Sequence, residues 1–385
     1  MRLLIISHTP HYQGDDAVVG WGPTIREIDQ LATLFDEVVH LAPLYQENGP
    51  KCTLPYTAEN VRYTSVKPAG GVRLLDKLQI MQRIPGWLAA MKKEIQQADY
   101  IHIRCPAGIS LVALLAARWW AKGKPTWVKY AGNWEANREN ISYSLQRFWL
   151  NKNFHNGVVT INGRWPDQPH HIITFTNPSY SLKEYHSTSQ IANNKSIREP
   201  IKLLFVGRLE TAKGAGRVIE IAKILRNAGL IFSLTLIGDG PEKSQFENLI
   251  LFAGLQKNVI FTGWQDKQTI NQYYKNAHFI LHPSTASEGW PKVLSEAMAY
   301  GVVPLASTVS SIPMILEDTK AGLAIPSKEL QAYADAILRY TKDIDAWKRA
   351  SMNGIAAGKR FTYEHYLADI KIMFKQCFHI ELTHV

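Results

Sequence analysis

The chain has 385 residues, 46% hydrophobic and 20% charged, with a formal net charge of +10. That length exceeds one typical core and suits two domains, and no apolar run approaches the roughly 18 residues of a membrane-spanning helix. The positive charge comes without a recognised nucleic-acid motif, so no nucleic-acid partner is expected; Cys52, Cys105 and Cys377 are too scattered for a zinc site, and a reducing cytoplasm is the simplest setting.

The opening run, MRLLIISHTP, passes directly from apolar residues into a polar loop, without a long hydrophobic region or small-residue cleavage site, and reads as a first strand, not a leader. His8 closes that strand and can face a ligand, although a structural role suits it better. In GWGP, Gly20 and Gly22 precede a helix that begins near Pro23 and Thr24. They either let a ligand approach the backbone or satisfy a loop that needs positive φ. Strands follow at EVVHLA, VRYTSV, YIHIRC, TWVKYA, GVVTIN and HIITFT, with amphipathic helices between most of them, the pattern of a doubly wound sheet. One helix interleaves Arg73, Lys77, Arg83, Lys92 and Lys93 with Leu74, Leu75, Leu78, Ile80, Met81, Ile84, Trp87 and Leu88. Such a helix can lie on the inner face of an anionic membrane or be an ordinary solvated face in a basic protein. His170 and His171, on a short strand, point to opposite faces and are not expected to share a metal.

Residues 181–199, SLKEYHSTSQIANNKSIRE, are polar with little periodicity and read as a linker. A second series begins at once with IKLLFVG, FSLTLIG, NVIFTG, HFILHP, VVPLAS and GLAIP, all but the last followed by a helix. The expected fold is α/β, two doubly wound Rossmann-like domains facing an interdomain cleft: residues 1–180, the linker 181–199, residues 200–360, and a last helix within 361–385. Ligands in such sheets gather at the C-terminal ends of the strands, so the loops that follow the strands hold the candidate chemistry.

In GRLETAKGAG, Arg208 and Lys213 stand on a glycine-bearing turn before a helix. A guanidinium offers two donors and an ammonium a mobile charge, which suits a diphosphate; a turn with two solvated bases is the plainer alternative. Lys213 precedes Gly214, so this is not a Walker loop. In GDGP, Asp239 reads as a turn residue. Asp343 and Asp345 have the spacing of a metal-binding pair but sit at a helix start, where capping is the expected role.

The stretch HPSTASEGWPKVLSEAMAYGVVP, His282 to Pro304, begins as a buried strand and breaks into a polar loop carrying Glu288, Gly289 and Trp290. Pro291 fits the first turn of the next helix, whose apolar residues Val293, Leu294, Ala297 and Met298 recur at helical spacing until Gly301 stops it. Glu296 lies off that stripe and leans back over Lys292, toward Glu288. Two carboxylates then flank a helix start that attracts anions, a place suited to a phosphate bearing hydroxylated groups at both ends.

The order GRLETAKG, GDGP, VIFTGW and PSTASEGWPKVLSEAMAYGVVP resembles glycosyltransferase family 4, retaining enzymes of GT-B architecture that use nucleotide sugars. The match is specific over residues 203–306. The resemblance implies that Arg208 and Lys213 bind the donor diphosphate, Glu288 the sugar hydroxyls and Glu296 the ribose. It also implies that Gly289, Trp290, Lys292 and Val293 line the donor, that Gly22 approaches the diphosphate from the first domain, that the last helix crosses back to that domain, and that no tightly bound metal or other cofactor is needed. The implied function is transfer of a sugar from a nucleoside diphosphate donor to a glycan or lipid-linked acceptor, in surface polysaccharide or lipopolysaccharide assembly. The alternatives are a non-catalytic nucleotide-sugar or glycan binding protein and a nucleotide-sugar epimerase. One departure stands out: where family members carry a histidine before a glycine, the run WVKYAGNW has Ala131 before Gly132, leaving Tyr130, Asn133 or Trp134 to replace its contacts.

Overall fold

The computed structural model describes residues 1–69, 74–136 and 140–383, for residues 74–79 the backbone only. It divides into two compact units, Met1–Thr176 with Tyr366–Val385, and Asn177–His365.

The first unit contains β1 (Arg2–Ile6), β2 (His11–Gln13), β3 (Val18–Trp21), β4 (Glu37–Tyr45), β5 (Thr53–Pro55), β6 (Val61–Val66), β7 (Tyr100–Cys105), β8 (Thr126–Tyr130), β9 (Val158–Ile161) and β10 (Ile172–Thr174). The path through the sheet is β10-β9-β8-β7-β1-β4-β2-β3-β5, with β6 also paired to β4. Strands β1, β4 and β6–β10 are parallel, and β3 runs antiparallel to β2 and β5. Alternation along β1 serves two layers. Leu4 and Ile6 pack with Trp87, Met91, Ile95 and Val112, whereas Leu3 and Ile5 pack with Ile28, Phe35, Trp127, Ile370 and Phe374. The C-terminal helix Tyr363–Met373 therefore sends its later residues into this unit's core.

That helix is tied down by charge as well. Glu27, fully buried, accepts hydrogen bonds from Arg104 (2.7 Å), Lys129 (2.5 Å) and the Tyr366 hydroxyl (3.4 Å). Two cations on adjacent strands thus share one carboxylate from the helix Gly22–Ala32, which offsets the cost of burying all three.

The basic helix of the sequence reading is Leu74–Gln97. Arg73 lies outside the described residues, as do the side chains of Leu74, Leu75, Lys77 and Leu78. Trp87, Met91 and Ile95 are core residues, and Lys92 lies over the Trp120 ring at 5.8 Å. The later part of the apolar face therefore belongs to the fold, whereas Met81 is 69% exposed. No helix among the described residues is long and apolar enough to cross a membrane.

The second unit contains β11 (Ile201–Val206), β12 (Phe232–Ile237), β13 (Val259–Gly263), β14 (Phe279–His282), β15 (Val303–Ala306) and β16 (Leu323–Ala324). All are parallel, in the order β13-β12-β11-β14-β15-β16. Leu203 and Phe205 face one core, Leu204 and Val206 the other. The order turns back between β11 and β14, so the loops after these two strands open side by side, the usual ligand position in such a sheet.

Residues 181–199 are not a bare linker. They carry the helix Leu182–Ala192, opened by a reciprocal capping box in which the Ser181 hydroxyl accepts from the Glu184 N–H and the Glu184 carboxylate accepts from the Ser181 N–H. Tyr185, Thr188 and Ala192 are buried along one side of it. Four polar residues between those anchors mask the period in the sequence.

Candidate active site

The loop after β11 folds into a 3-10 turn, Thr211–Lys213, followed by the helix Ala215–Asn227. Between them Gly214 sits at φ 93°, and a Cβ there would lie 2.5 Å from the Pro283 carbonyl oxygen. Glycine is needed on both counts. The 3-10 turn is stitched to the loop after β14: the Thr285 N–H donates to the Ala212 carbonyl at 2.7 Å, and Arg217 donates to the Pro283 carbonyl at 2.7 Å and the Thr211 carbonyl at 2.9 Å. Ser284 adds a longer bond to Ala212 at 3.3 Å.

This stitching brings Lys213 onto Glu288, where ammonium and carboxylate form an ion pair. Behind it His282, at the end of β14 and 3% exposed, places Nε2 3.4 Å from the other Glu288 oxygen; that nitrogen is buried without a hydrogen bond. Burial, and then the nearby Lys213 charge, hold the His282 imidazole down to about 3, so it is neutral at ordinary pH. Burial also draws the Lys213 ammonium down to about 8, with Arg208 adding to the fall and Glu210 opposing it. Arg208 itself is largely exposed and pairs with Glu210 at 2.7 Å. Both cations of the loop are therefore engaged by carboxylates that an anionic ligand would have to displace.

Pro291 is the N-cap of the helix Lys292–Ala299, one position before its first turn. Lys292, Val293 and Glu296 are half-buried on it. Glu296 accepts a 3.0 Å hydrogen bond from the hydroxyl of Tyr274, whose ring is fully buried and stacked on Tyr300 at 5.8 Å. The carbonyl of Gly289 accepts from Ser311 at 2.9 Å, which fixes the loop from the far side.

Trp290 departs from expectation. Its indole is 3% exposed, lies parallel to Phe361 at 5.5 Å and donates to the Ser295 hydroxyl at 2.6 Å. It anchors the loop in the core, and only its backbone is left to line a ligand. Gly22 lies in the first unit as the first residue of the helix Gly22–Ala32, its N–H bonded to the Cys52 carbonyl at 3.1 Å. A Cβ there would sit 2.4 Å from that oxygen, so close packing already accounts for the glycine.

Among the candidates to replace the absent histidine, Tyr130 and Trp134 are buried and edge-to-face at 5.2 Å, and Asn133 is half-buried. Asp343 caps the helix Ile344–Ala357 through the Ala346 N–H at 2.9 Å, and Asp239 accepts from the Gly240 N–H at 2.8 Å. Among the described residues no three His, Cys, Asp or Glu side chains are grouped to hold a metal ion.

His282, Tyr274 and Arg217 are the site residues that sequence reasoning did not single out. Their partners come from other elements, and a lone His, Tyr or Arg carries no spacing signature. The nearest signal was the position of His282, first residue of the stretch that holds Glu288.

The fold and site define an α/β protein of two Rossmann-like units, with an anion-ready loop pair in the second. A family described as glycosyl transferases group 1 matches residues 187–357. The amylovoran biosynthesis glycosyltransferase AmsK of Erwinia amylovora is 33% identical over 152 residues, 38% of this chain and 37% of that protein. The alpha-D-kanosaminyltransferase of Streptomyces kanamyceticus is 28% identical over 151 residues, 39% of each chain. The chain thus matches less than two fifths of the length of these curated relatives. Among solved structures, sucrose-phosphate synthase from Thermosynechococcus elongatus superposes with a TM-score of 0.73 at 17% identity, over 98% of this chain and 99% of that one. Anabaena HepE, solved in complex with UDP, gives 0.66 at 17% identity over 97% and 100%. At that identity the likeness establishes the fold, that of the GT-B glycosyltransferases.

Proposed function

We propose that the protein is a retaining glycosyltransferase that moves a sugar from a nucleoside diphosphate donor to a glycan or lipid-linked acceptor, in the assembly of a surface polysaccharide or lipopolysaccharide. The observation that carries this reading is the Lys213–Glu288–His282 constellation at the point where the second sheet turns back. In the reaction the bond from the anomeric carbon to the diphosphate oxygen breaks, the nucleoside diphosphate keeping the electron pair. The acceptor oxygen bonds to the same carbon on the same face, and its proton departs with the diphosphate. Arg208 and Lys213 supply countercharge to the leaving group, beside the first N–H groups of the helix Lys292–Ala299. Glu288 holds sugar hydroxyls and Glu296 the ribose, with Gly289, Lys292, Val293 and the Trp290 backbone lining the donor. The polysaccharide setting draws on AmsK, and the nucleotide class on HepE with its UDP.

Incubation of purified protein with UDP-, GDP-, ADP- and TDP-sugars tests this, with and without EDTA. A donor-specific rise in melting temperature that survives EDTA, and sugar transfer that Lys213→Ala and Glu288→Ala each abolish in folded protein, are the expected results. Normal turnover in both variants would sink the assignment. Ala131, standing where a histidine is expected, favours one second reading, a nucleotide-sugar binding protein without turnover. That reading predicts the melting shift with no sugar release.

A further inference from the structure

The first sheet has a switch point of its own. From β1 the chain builds outward through β4, then returns to the other side of β1 as β7, so the loops after β1 and β7 open side by side, where ligands of such sheets bind. Just beyond the last paired residues, Ile6 and Ile103, stand Ser7 and Arg104.

The β1 loop is held by one consistent set of protons. His11 Nδ1–H donates to the Thr9 carbonyl at 2.9 Å, so Nε2 accepts from the Tyr56 hydroxyl at 2.8 Å. The phenol oxygen in turn accepts from His40 Nδ1–H at 2.5 Å. His40 Nε2 then accepts from the Ser7 hydroxyl at 2.7 Å, and the Ser7 oxygen accepts from the Thr9 N–H at 3.1 Å. These bonds fix the backbone on both sides of His8, the one exposed side chain of Ser7–His11.

Arg104 has donors to spare. Its side chain is only 13% exposed and a guanidinium carries five N–H groups, yet its one hydrogen bond runs from Nη1 to Glu27. The same Glu27 oxygen also accepts from Lys129 and Tyr366. Asp29, the next carboxylate along that helix, is taken by Thr57 and Ala58. Nε and Nη2, which share one edge of the Arg104 guanidinium, have no hydrogen-bond partner among the described residues. An enclosed cation is ordinarily hydrogen-bonded throughout, and this edge is the fork that takes two oxygens of a carboxylate or phosphate. Its charge reaches the β1 loop: loss of hydration, and then Arg104, hold the His8 imidazole down to about 4.

We propose that the open edge of Arg104 binds the acidic group, phosphate or carboxylate, of a saccharide held at the switch point of the first sheet, with His8 at its mouth. That this saccharide is the acceptor rests on the transferase reading; the anion site itself does not.

The test is calorimetry of the full chain with glucose 6-phosphate, glucuronate, glucose and inorganic phosphate. At least one acidic sugar should bind about tenfold or more tighter than either glucose or inorganic phosphate, and the better of the two names the acidic group. Arg104→Lys keeps a charge for Glu27 but loses the fork, so it should weaken that binding about tenfold. His8→Glu, at an exposed position, should also weaken it by repulsion, and carries the test if Arg104→Lys does not fold. Lys213→Met should leave it unchanged. No binding of either acidic sugar, equal affinity for glucose, or binding of inorganic phosphate as tight as that of the sugars overturns the proposal. So does a loss in Lys213→Met that Arg104→Lys does not share, which would place the anion in the second unit. The melting shift with nucleotide sugars is read on the same proteins: its absence beside intact acidic-sugar binding would fell the transferase reading alone.

Discussion

Lys213 and Glu288 form an ion pair although each is assigned a different part of the same ligand, the diphosphate for the lysine and the sugar for the glutamate. On the proposed reading a donor that binds here separates the pair, and the two residues respond differently to neutralisation. Glu288→Gln releases Lys213, so affinity for a free nucleoside diphosphate should hold or rise while transfer falls at least about a hundredfold, the size of a lost transition-state contact. Lys213→Met should lose both. Calorimetry of nucleoside diphosphate binding, paired with turnover, separates the two; equal loss of affinity in both variants would make the pair merely structural.

The same lysine sets a pH limit. Its ammonium is drawn down to about 8, chiefly by burial, and on the proposed reading only the charged form attracts the diphosphate. In the free protein the charged fraction is full well below that value and falls as pH rises through it. The profile of kcat/KM, which reports the free enzyme, should accordingly be flat toward neutrality and decline above about pH 8. Lys213→Arg keeps a charge across that range, so any activity it retains should lack the alkaline decline. A decline at the same pH in the arginine variant would assign it to another group.

Tyr274 and Glu296 give a milder and more local prediction. The phenol donates to one carboxylate oxygen of Glu296 at 3.0 Å, and on the proposed reading that carboxylate holds the ribose. Tyr274→Phe keeps the buried stack on Tyr300 and removes only that bond, worth about 1 kcal/mol. The donor KM should rise about fivefold with little change in kcat. A fall in kcat with KM unchanged would place Glu296 nearer the reacting atoms than the ribose.

Gly214 can be separated from glycine effects in general. Its φ of 93° and the 2.5 Å approach of the Pro283 carbonyl oxygen both oppose a side chain. At Gly229, with φ 80° and nothing within 4 Å of a Cβ, only the backbone preference opposes it. Gly229→Ala should thus cost about 1 kcal/mol, and Gly214→Ala more, about 2–3 kcal/mol, with loss of nucleotide affinity as the 3-10 turn carrying Lys213 is pushed from its partner loop. Denaturant unfolding of both variants checks the ordering, and equal losses would remove the steric argument.

The strands of both sheets were legible because a parallel strand buried on two faces reads as an unbroken apolar run, as in RLLII and IKLLFV. The short β2, β3 and β5 were not, because pieces such as HYQ and TLP are too short to show a period. In SLKEYHSTSQIA the Ser181–Glu184 capping box was present in the letters, but the polar average outweighed it. At the site, Lys213 and Glu288 stood out through the motifs around them. The burial of the Trp290 ring was not legible, because its partner Phe361 is remote in sequence and nothing local marks it as core. His282, Tyr274 and Arg217 acquire their roles only when β14 and the helices Lys267–Asn276 and Ala215–Asn227 are brought together.

His282 is also one of several histidines buried in neutral form, and together they predict how the fold responds to acid. His155, His278 and His282 are each at most 5% exposed, and His11 is fully buried. Burial, the leading cause in each, holds His11, His155 and His278 down to about 4 and His282 to about 3. In the unfolded chain each would titrate near 6.5. Between those limits the unfolded state binds more protons than the folded one, so stability is full above about pH 6.5 and falls as pH drops toward 4. From pH 7 to 5.5 each histidine should remove on the order of 1 kcal/mol. His155 carries the least ambiguous share, because both its ring nitrogens are buried without a partner, so no lost hydrogen bond confuses its replacement. His155→Phe, which fills similar space without titrating, should flatten the unfolding free energy against pH by about one histidine's worth; a curve parallel to the wild type would show that His155 is not neutral by burial.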